Sequence, residues 1–482
     1  MKVNLTTAQR DRAVGTLLAT AAGDALGAGY EFGRPMTDEQ PVGMIGGGLG
    51  PFASGEWTDD TSMAIAIAEV AATGADLLTP PSQNSIVQRW EQWARTAKDV
   101  GVQTRSVLSA AARMGISAAT ARAESAALHA QSGRTAGNGS LMRTAPVALA
   151  YLDDEAALVQ AAREVSELTH FDPDAGDACV LWCLAIRHAV LTGELDIRTG
   201  LGHLASERQE LWRGRLTAAE NARPADFSHN NGWVVAALQG AWSAISTTPV
   251  PAEDPAAESF RADHLRLALE AAVRGGGDTD TVAAIAGGLL GAVYGASAVP
   301  APWRLLLHGW PGLTTRGLAT LADRIVGKGA TAEPDYGWWA ATVPPRQHPH
   351  DDKVWIGSVR SLGSLADDVD AVVSLCRIAD SDVPAAAVHL EVRLIDRVGH
   401  NANLDFVLLD TVRAIEALRA DGRTVFVHFV EAQSRTPTIA ALYGARRQGL
   451  GVDEALREVC AALPAANPNP DFREALRRLI AP

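Results

Sequence analysis

The chain has 482 residues, 47% of them hydrophobic and 20% charged. These are the proportions of a folded protein of two or three domains, and they exclude a disordered, collagenous or coiled-coil chain. Its 42 basic and 56 acidic residues leave a formal charge of −14, which argues against general nucleic-acid binding and against an anionic membrane surface. Cys179, Cys183, Cys376 and Cys460 are too few and too scattered for a disulfide framework, so a cytoplasmic protein is expected.

From the N-terminus, Ala13–Gly23 is apolar but short, diluted by Gly and Thr, and runs into Asp24; no signal peptide is expected. Ala13–Ala28 reads as a helix in which Gly15, Ala19, Gly23 and Gly27 form a smooth stripe. Gly287, Gly291 and Gly295 repeat that spacing, and small residues four apart let helix backbones approach closely. Further helices are predicted over Ser85–Thr96, Glu155–Leu168, Ala178–Leu191, Trp233–Ile245 and Ala262–Val273. No segment of this half alternates with period two, so it is expected to be all-α. Val282–Trp303 is uncharged and long enough to cross a bilayer, but Ala, Gly, Pro300 and Pro302 mark it as a buried helix rather than a membrane span.

The first domain is expected over residues 1–330. Residues 331–353 lack periodicity and contain Pro344–Pro345, and read as a linker, with His348, His350, Asp351 and Asp352 taken as solvated. In 354–482, Val354–Ile356, Ala371–Leu375, Val388–Arg393 and Thr424–His428 read as strands, and Leu404–Asp421 and Pro437–Gln448 as helices. The fold class expected is thus an all-α domain followed by a smaller α/β domain over a mostly parallel sheet.

Two segments carry chemistry. Thr58-Asp59-Asp60 and Asp278-Thr279-Asp280-Thr281 each follow a glycine-containing loop and precede an apolar helix. One Asp or Thr suffices to cap a first turn, and adjacent carboxylates repel unless a cation neutralises them. Hard oxygen donors without Cys or His suit Mg2+, Mn2+ or Ca2+. The residues alone leave capping and metal binding both open.

Residues 6 to about 300 resemble the ADP-ribosylglycohydrolase family, through GDALGAGYEFGR from Gly23, WTDDTSMA from Trp57, GNGSLMRTAPVAL from Gly137, THFDPDAGDA from Thr169 and GGDTDTVAAIAGGLLGA from Gly276. The resemblance implies a helical fold with two Mg2+ ions (Mn2+ being an alternative) held by Thr58, Asp59 and Asp60 from one side and Asp278, Asp280 and Thr281 from the other. It implies that Glu31 lies on a flap over the substrate; Glu31, Asp59 and Asp60 are the candidate catalytic carboxylates. Gly137, Asn138, Gly139 and Ser140 would hold the diphosphate and distal ribose of ADP-ribose. His170 would lie near the substrate, and Arg143 would contact phosphate or brace the loop. The activity implied is hydrolysis of the glycosidic bond between ribose C1″ and a protein side chain or small-molecule acceptor. Glu31 and the complete ligand set favour an enzyme over a non-catalytic ADP-ribose or phosphate binder, and over a di-metal phosphoesterase. The acceptor and the oligomeric state stay open.

Val425–Pro437, VFVHFVEAQSRTP, reads as strand, loop and helix start. It resembles the His-Cys-x5-Arg phosphate loop of dual-specificity and tyrosine phosphatases, with similarity over about Val354–Gly449 that includes Trp355 and Asp396. Phe429 occupies the nucleophile position, Ala432 replaces a glycine and Glu431 adds negative charge. Without a thiolate no phospho-enzyme can form. Ser434 and Arg435 are the candidate phosphate-binding residues of a phosphatase-like module that is expected to be catalytically dead.

Overall fold

The computed structural model describes residues 4–330, 336, 343–379, 382 and 388–480. The chain forms two compact units: Met1–Pro249, His264–Val299 and Leu306–Thr331 make the first, and Val250–Asp263, Pro300–Leu305 and Ala332–Pro482 the second.

The first unit is helical. Its core pair is Thr7–Gly27 against Thr279–Tyr294, and the glycine stripe explains the pairing. A Cβ on Gly15 would stand 2.5 Å from the Gly291 carbonyl oxygen, one on Gly287 2.0 Å from that of Ala19, and one on Gly23 2.1 Å from that of Ala283. Those positions run in opposite directions, so the helices are antiparallel and touch backbone to backbone. Gly27 thereby abuts the backbone of Asp280, which sets the end of the first helix on the start of the second.

Helices also span Pro80–Ala94, Glu155–Glu167, Pro173–Thr192, Val234–Thr247 and Asp263–Arg274, close to the predicted ranges. Pro173–Thr192 is the described helix with the length and hydropathy of a membrane span, yet most of it is buried inside the fold. The all-α expectation needs one amendment: His308–Gly309 and Leu313–Thr314 form a short antiparallel pair. The backbone of His308 accepts from Trp57 N at 3.1 Å, and Trp57, fully buried, donates its indole N–H to Trp310 O at 3.2 Å. This clamps the loop entering Thr58.

The second unit has a five-stranded sheet. Across it lie Arg346–His348, Asp351–Ser358, Val425–Phe429, Ala371–Ser374 and Val388–Glu391; the first pair is antiparallel and the rest are parallel. Val425–Phe429 is central and wholly buried, as a parallel strand covered on both faces must be. The helices Leu404–Ala420, Arg435–Gln448, Val452–Ala462 and Pro470–Leu479 belong to this unit. So do two excursions from the helical part of the sequence: Phe260 meets Phe406 edge-on at 5.7 Å between centroids, and Ala301 N donates to Asp410 Oδ2 at 2.9 Å.

The linker reading of 331–353 is corrected at its C-terminal end; residues 331–335 and 337–342 lie outside the described ones. His348 and Asp351 are buried. His348 Nε2 bonds Ala440 O at 2.9 Å, and Asp351 Oδ2 accepts from Tyr443 Oη at 2.7 Å and Arg419 Nε at 3.1 Å. These polar residues are internal pins of a β-hairpin rather than solvated linker.

Candidate metal centre and active site

The starts of helices Asp59–Ala71 and Thr279–Tyr294 meet at the last turn of Thr7–Gly27. Two trios of carboxylates result: Asp24, Asp60 and Asp280, and Glu31, Asp278 and Asp280, the oxygens of each trio lying within 4.8 Å of one another. Asp280 belongs to both. Asp59 belongs to neither trio, although it feels the charges of Asp99, Asp24, Asp278 and Glu31. Thr58 Oγ1 lies 3.1 Å from Asp60 Oδ2 and 3.4 Å from Asp280 Oδ2. Thr281 is buried beside them, its amide donating to Asp280 Oδ1 at 2.9 Å.

Among the described residues, no basic side chain is paired with these carboxylates. Burial, and after it the charges of other carboxylates, push Asp59, Asp60 and Asp280 well above the usual carboxyl range. Asp60 Oδ1 is buried without a hydrogen-bond partner among the described residues. Such an arrangement is costly by itself, and bound divalent cations would offset the cost. The donor set (carboxylates and threonine hydroxyls, with neither Cys nor His) fits Mg2+ or Mn2+.

Glu31 is held at the site by a short bridge, Phe32 N to Gly277 O at 2.6 Å and Gly277 N to Gly33 O at 3.0 Å. Phe32, with φ of 56°, turns the chain sharply just after Glu31. Burial first, then Asp278, pushes the Glu31 carboxyl up to about 7, against the amide of Leu49, which donates to Oε2 at 3.3 Å.

The Gly137–Ser140 loop is tied to the same centre. Asn138 Nδ2 donates to Asp278 Oδ2 at 2.7 Å and to Asn231 O at 2.9 Å, while Asn231 accepts from Asp278 N at 2.9 Å and donates to Gly276 O at 3.0 Å. His170 lies under the loop: Cβ atoms on Gly137 and Gly139 would come within 3.2 and 3.1 Å of its ring. Its Nδ1 bonds Thr169 Oγ1 at 2.7 Å, and Arg143 Nη2 donates to the same hydroxyl at 2.6 Å. Arg143 is fully buried, its guanidinium 3.9 Å from the Trp90 ring centroid. Ser140 is buried too. Arg143 thus meets Trp90 and Thr169, and His170 packs beneath the loop. Gly137, Asn138 and Gly139 are the half-exposed members.

Asp24, Asn231 and Asp99 do not stand out in the sequence. Asp24 lies within GDALG as an acid on an otherwise apolar helix, which is the available signal. Asn231 has none, since its role comes from a loop 45 residues from Gly276.

In the second unit, Phe429 is buried and the Arg435 guanidinium sits 3.2 Å from its ring centroid. Arg435 Nη1 donates to the carbonyls of Leu375 and Leu394, and Ser434 Oγ donates to Asp396 Oδ1 at 2.7 Å. Both candidate phosphate-binding side chains are thus bonded within the protein. Ala432, in place of the glycine, adopts a φ of 57°.

A family model described as ADP-ribosylglycohydrolase matches residues 5–335. The chain belongs to the ADP-ribosylglycohydrolase family. Among its relatives, the ADP-ribosylarginine hydrolase Tri1 of Pseudomonas putida (strain GB-1) is 31% identical over 299 residues, 61% of this chain and 73% of that protein. A solved structure titled "ADP-ribosylglycohydrolase-related protein complex" is 28% identical with a TM-score of 0.50, covering 67% of this chain and 99% of that one. The C-terminal part is similar to the human protein phosphatase Slingshot homolog 3, 30% identical over 136 residues, 27% of this chain and 20% of that protein. This ADP-ribosylglycohydrolase is accordingly a hydrolase of glycosyl bonds to ADP-ribose, joined to a phosphatase-like sheet domain.

Proposed function

We propose that the protein removes ADP-ribose from arginine side chains of proteins, with two Mg2+ ions (or Mn2+) as cofactors, and that its phosphatase-like module has no catalytic activity. The observation that carries the reading is the pair of carboxylate trios sharing Asp280. When bound there, two divalent cations supply a seat for ribose hydroxyls and a more acidic water.

The chain's own residues account for the rest. Asn138 anchors the Gly137 loop to Asp278, so the amides that face an ADP-ribose diphosphate move with the metal ligands. Hydrolysis breaks the bond from C1″ to the guanidine nitrogen and forms one to a water oxygen. Water's proton passes to a carboxylate, and a proton is delivered to the leaving guanidine. Glu31, beside Asp278 and Asp280, is the carboxylate we assign to such transfers. Guanidine as leaving group is supported by the name of the Tri1 relative. It is also supported by Asp99, whose charge reaches both Asp59 and Glu31, an acidic surrounding suited to a cationic acceptor.

A panel of defined linkages, ADP-ribosyl-arginine and ADP-ribosyl-serine peptides and ADP-ribosylated nucleic-acid ends, incubated with and without Mg2+, tests the reading. Mg2+-dependent release of free ADP-ribose, fastest from arginine, is the expected result, with products identified by mass. AMP as the product would favour phosphoester cleavage, and binding without turnover would favour a reader.

For the second module, no hydrolysis of p-nitrophenyl phosphate is expected above the rate of a blank, because Phe429 offers no thiolate and Arg435 is engaged by the Phe429 ring. A rate that disappears on Arg435→Ala would contradict this.

A further inference from the structure

The amides at the start of an α-helix need acceptors, and the residue before the helix normally provides one from its side chain. Thr58 stands in that position for Asp59–Ala71, yet its side chain makes no capping bond. The acceptor is Asp24, on a different helix. Thr61 N donates to Asp24 Oδ2 at 2.9 Å, and Thr58 N to Asp24 Oδ1 at 2.8 Å. The Thr58 hydroxyl has one proton and three carboxylate oxygens around it, those of Asp24 at 2.8 Å, Asp60 at 3.1 Å and Asp280 at 3.4 Å. The proton can satisfy one of them, and Asp24 is the nearest. The other two contacts then bring lone pair against lone pair wherever Asp60 and Asp280 are ionised, and a cation among them would make those contacts favourable.

We infer that Asp24 is a positioning residue: it caps the helix Asp59–Ala71 from another helix and accepts the hydrogen bond of the Thr58 hydroxyl, so that the Thr58 lone pairs face the cation. The inference rests on the two-cation reading of the site. Asp24 is fully buried and both its oxygens already accept hydrogen bonds, which sets it apart from a direct ligand. Groups that orient ligands in this way typically change metal affinity by about 10–100-fold.

The test is Mn2+ binding to the full chain, with bound ions counted by loss of the free-ion EPR signal. Asp24→Asn is expected to bind two ions still, each or one of them about 10–100-fold more weakly. In a Thr58→Val background the same change is expected to alter affinity by no more than about twofold, because the hydroxyl through which it acts is gone. Unchanged affinity, outright loss of one ion, or full additivity with Thr58→Val would overturn the inference. If Asp24→Asn yields no folded protein, Thr58→Ser and Thr58→Val decide: Ser keeps the hydroxyl and is expected within about twofold of the parent, and a Ser variant as weak as Val would overturn it. A parent protein that binds no Mn2+ would remove the two-cation reading itself.

Discussion

Asp280→Ala is expected to lower ADP-ribose release by about a thousandfold or more, the equivalent of several kcal/mol of metal-derived stabilisation, while the metal-free protein melts no lower than the parent. The first half follows from Asp280 lying in both carboxylate trios, so that one substitution removes a ligand from each ion. The second half follows from electrostatics. Without cations Asp280 is a buried carboxyl whose charged form is opposed by burial and by Asp60, Asp278, Glu31 and Asp24, and its removal relieves that repulsion. Loss of a merely structural residue would lower stability along with activity. The checks are turnover at saturating Mg2+ and thermal unfolding in EDTA.

Chelation is expected to cost far more stability at pH 8 than at pH 5.5. Asp24, Asp59, Asp60 and Asp280 all titrate above the ordinary carboxyl range, and Glu31 at about 7. A carboxyl raised on folding binds its proton more tightly in the native state than in the unfolded one. The metal-free fold is therefore most stable below the unfolded value, near 4, and loses stability as pH rises towards the folded value. Cations require the ionised form, so their affinity rises over the same interval. At a hundredfold excess over the dissociation constant each ion adds about 2.7 kcal/mol, which for a body of this size is a rise of roughly 5 °C or more in melting temperature at pH 8. The rise should be much smaller at pH 5.5. Thermal melts with Mg2+ and with EDTA at the two pH values measure it; an equal or larger rise at the lower pH would contradict an electrostatic origin.

The architecture is legible wherever spacing alone dictates contact. The stripes Gly15-Ala19-Gly23-Gly27 and Gly287-Gly291-Gly295 point to close helix packing, and the structure shows them packed on each other, an arrangement that requires glycine because carbonyl oxygens occupy the space of a side chain. That packing in turn carries Asp280 to the end of the first helix. The two Asp-Thr clusters are visible as chemistry but not as neighbours, since their meeting depends on helix register across the fold. Asp24 is concealed for a different reason. One acid in an apolar helix has no pattern, and its function comes from the Thr58 and Thr61 amides of a distant segment.

The C-terminal half is less transparent. Proline and paired acids suggest a linker up to Lys353, but burial of His348 and Asp351 against Ala440, Tyr443 and Arg419 turns those polar residues into supports for a strand. The absent nucleophile at Phe429 is plain in the sequence. That Arg435 stacks on the Phe429 ring and bonds two backbone carbonyls is not, because it depends on where the neighbouring strands end.

The most direct measurement of the central claim is anomalous diffraction at the manganese edge from crystals grown with Mn2+. Two peaks about 3.5–4 Å apart are expected, one bounded by Thr58, Asp60 and Asp280 and the other by Asp278 and Asp280 near Glu31. Crystals showing no peak among these side chains, or a single ion that leaves Asp280 untouched, would contradict it.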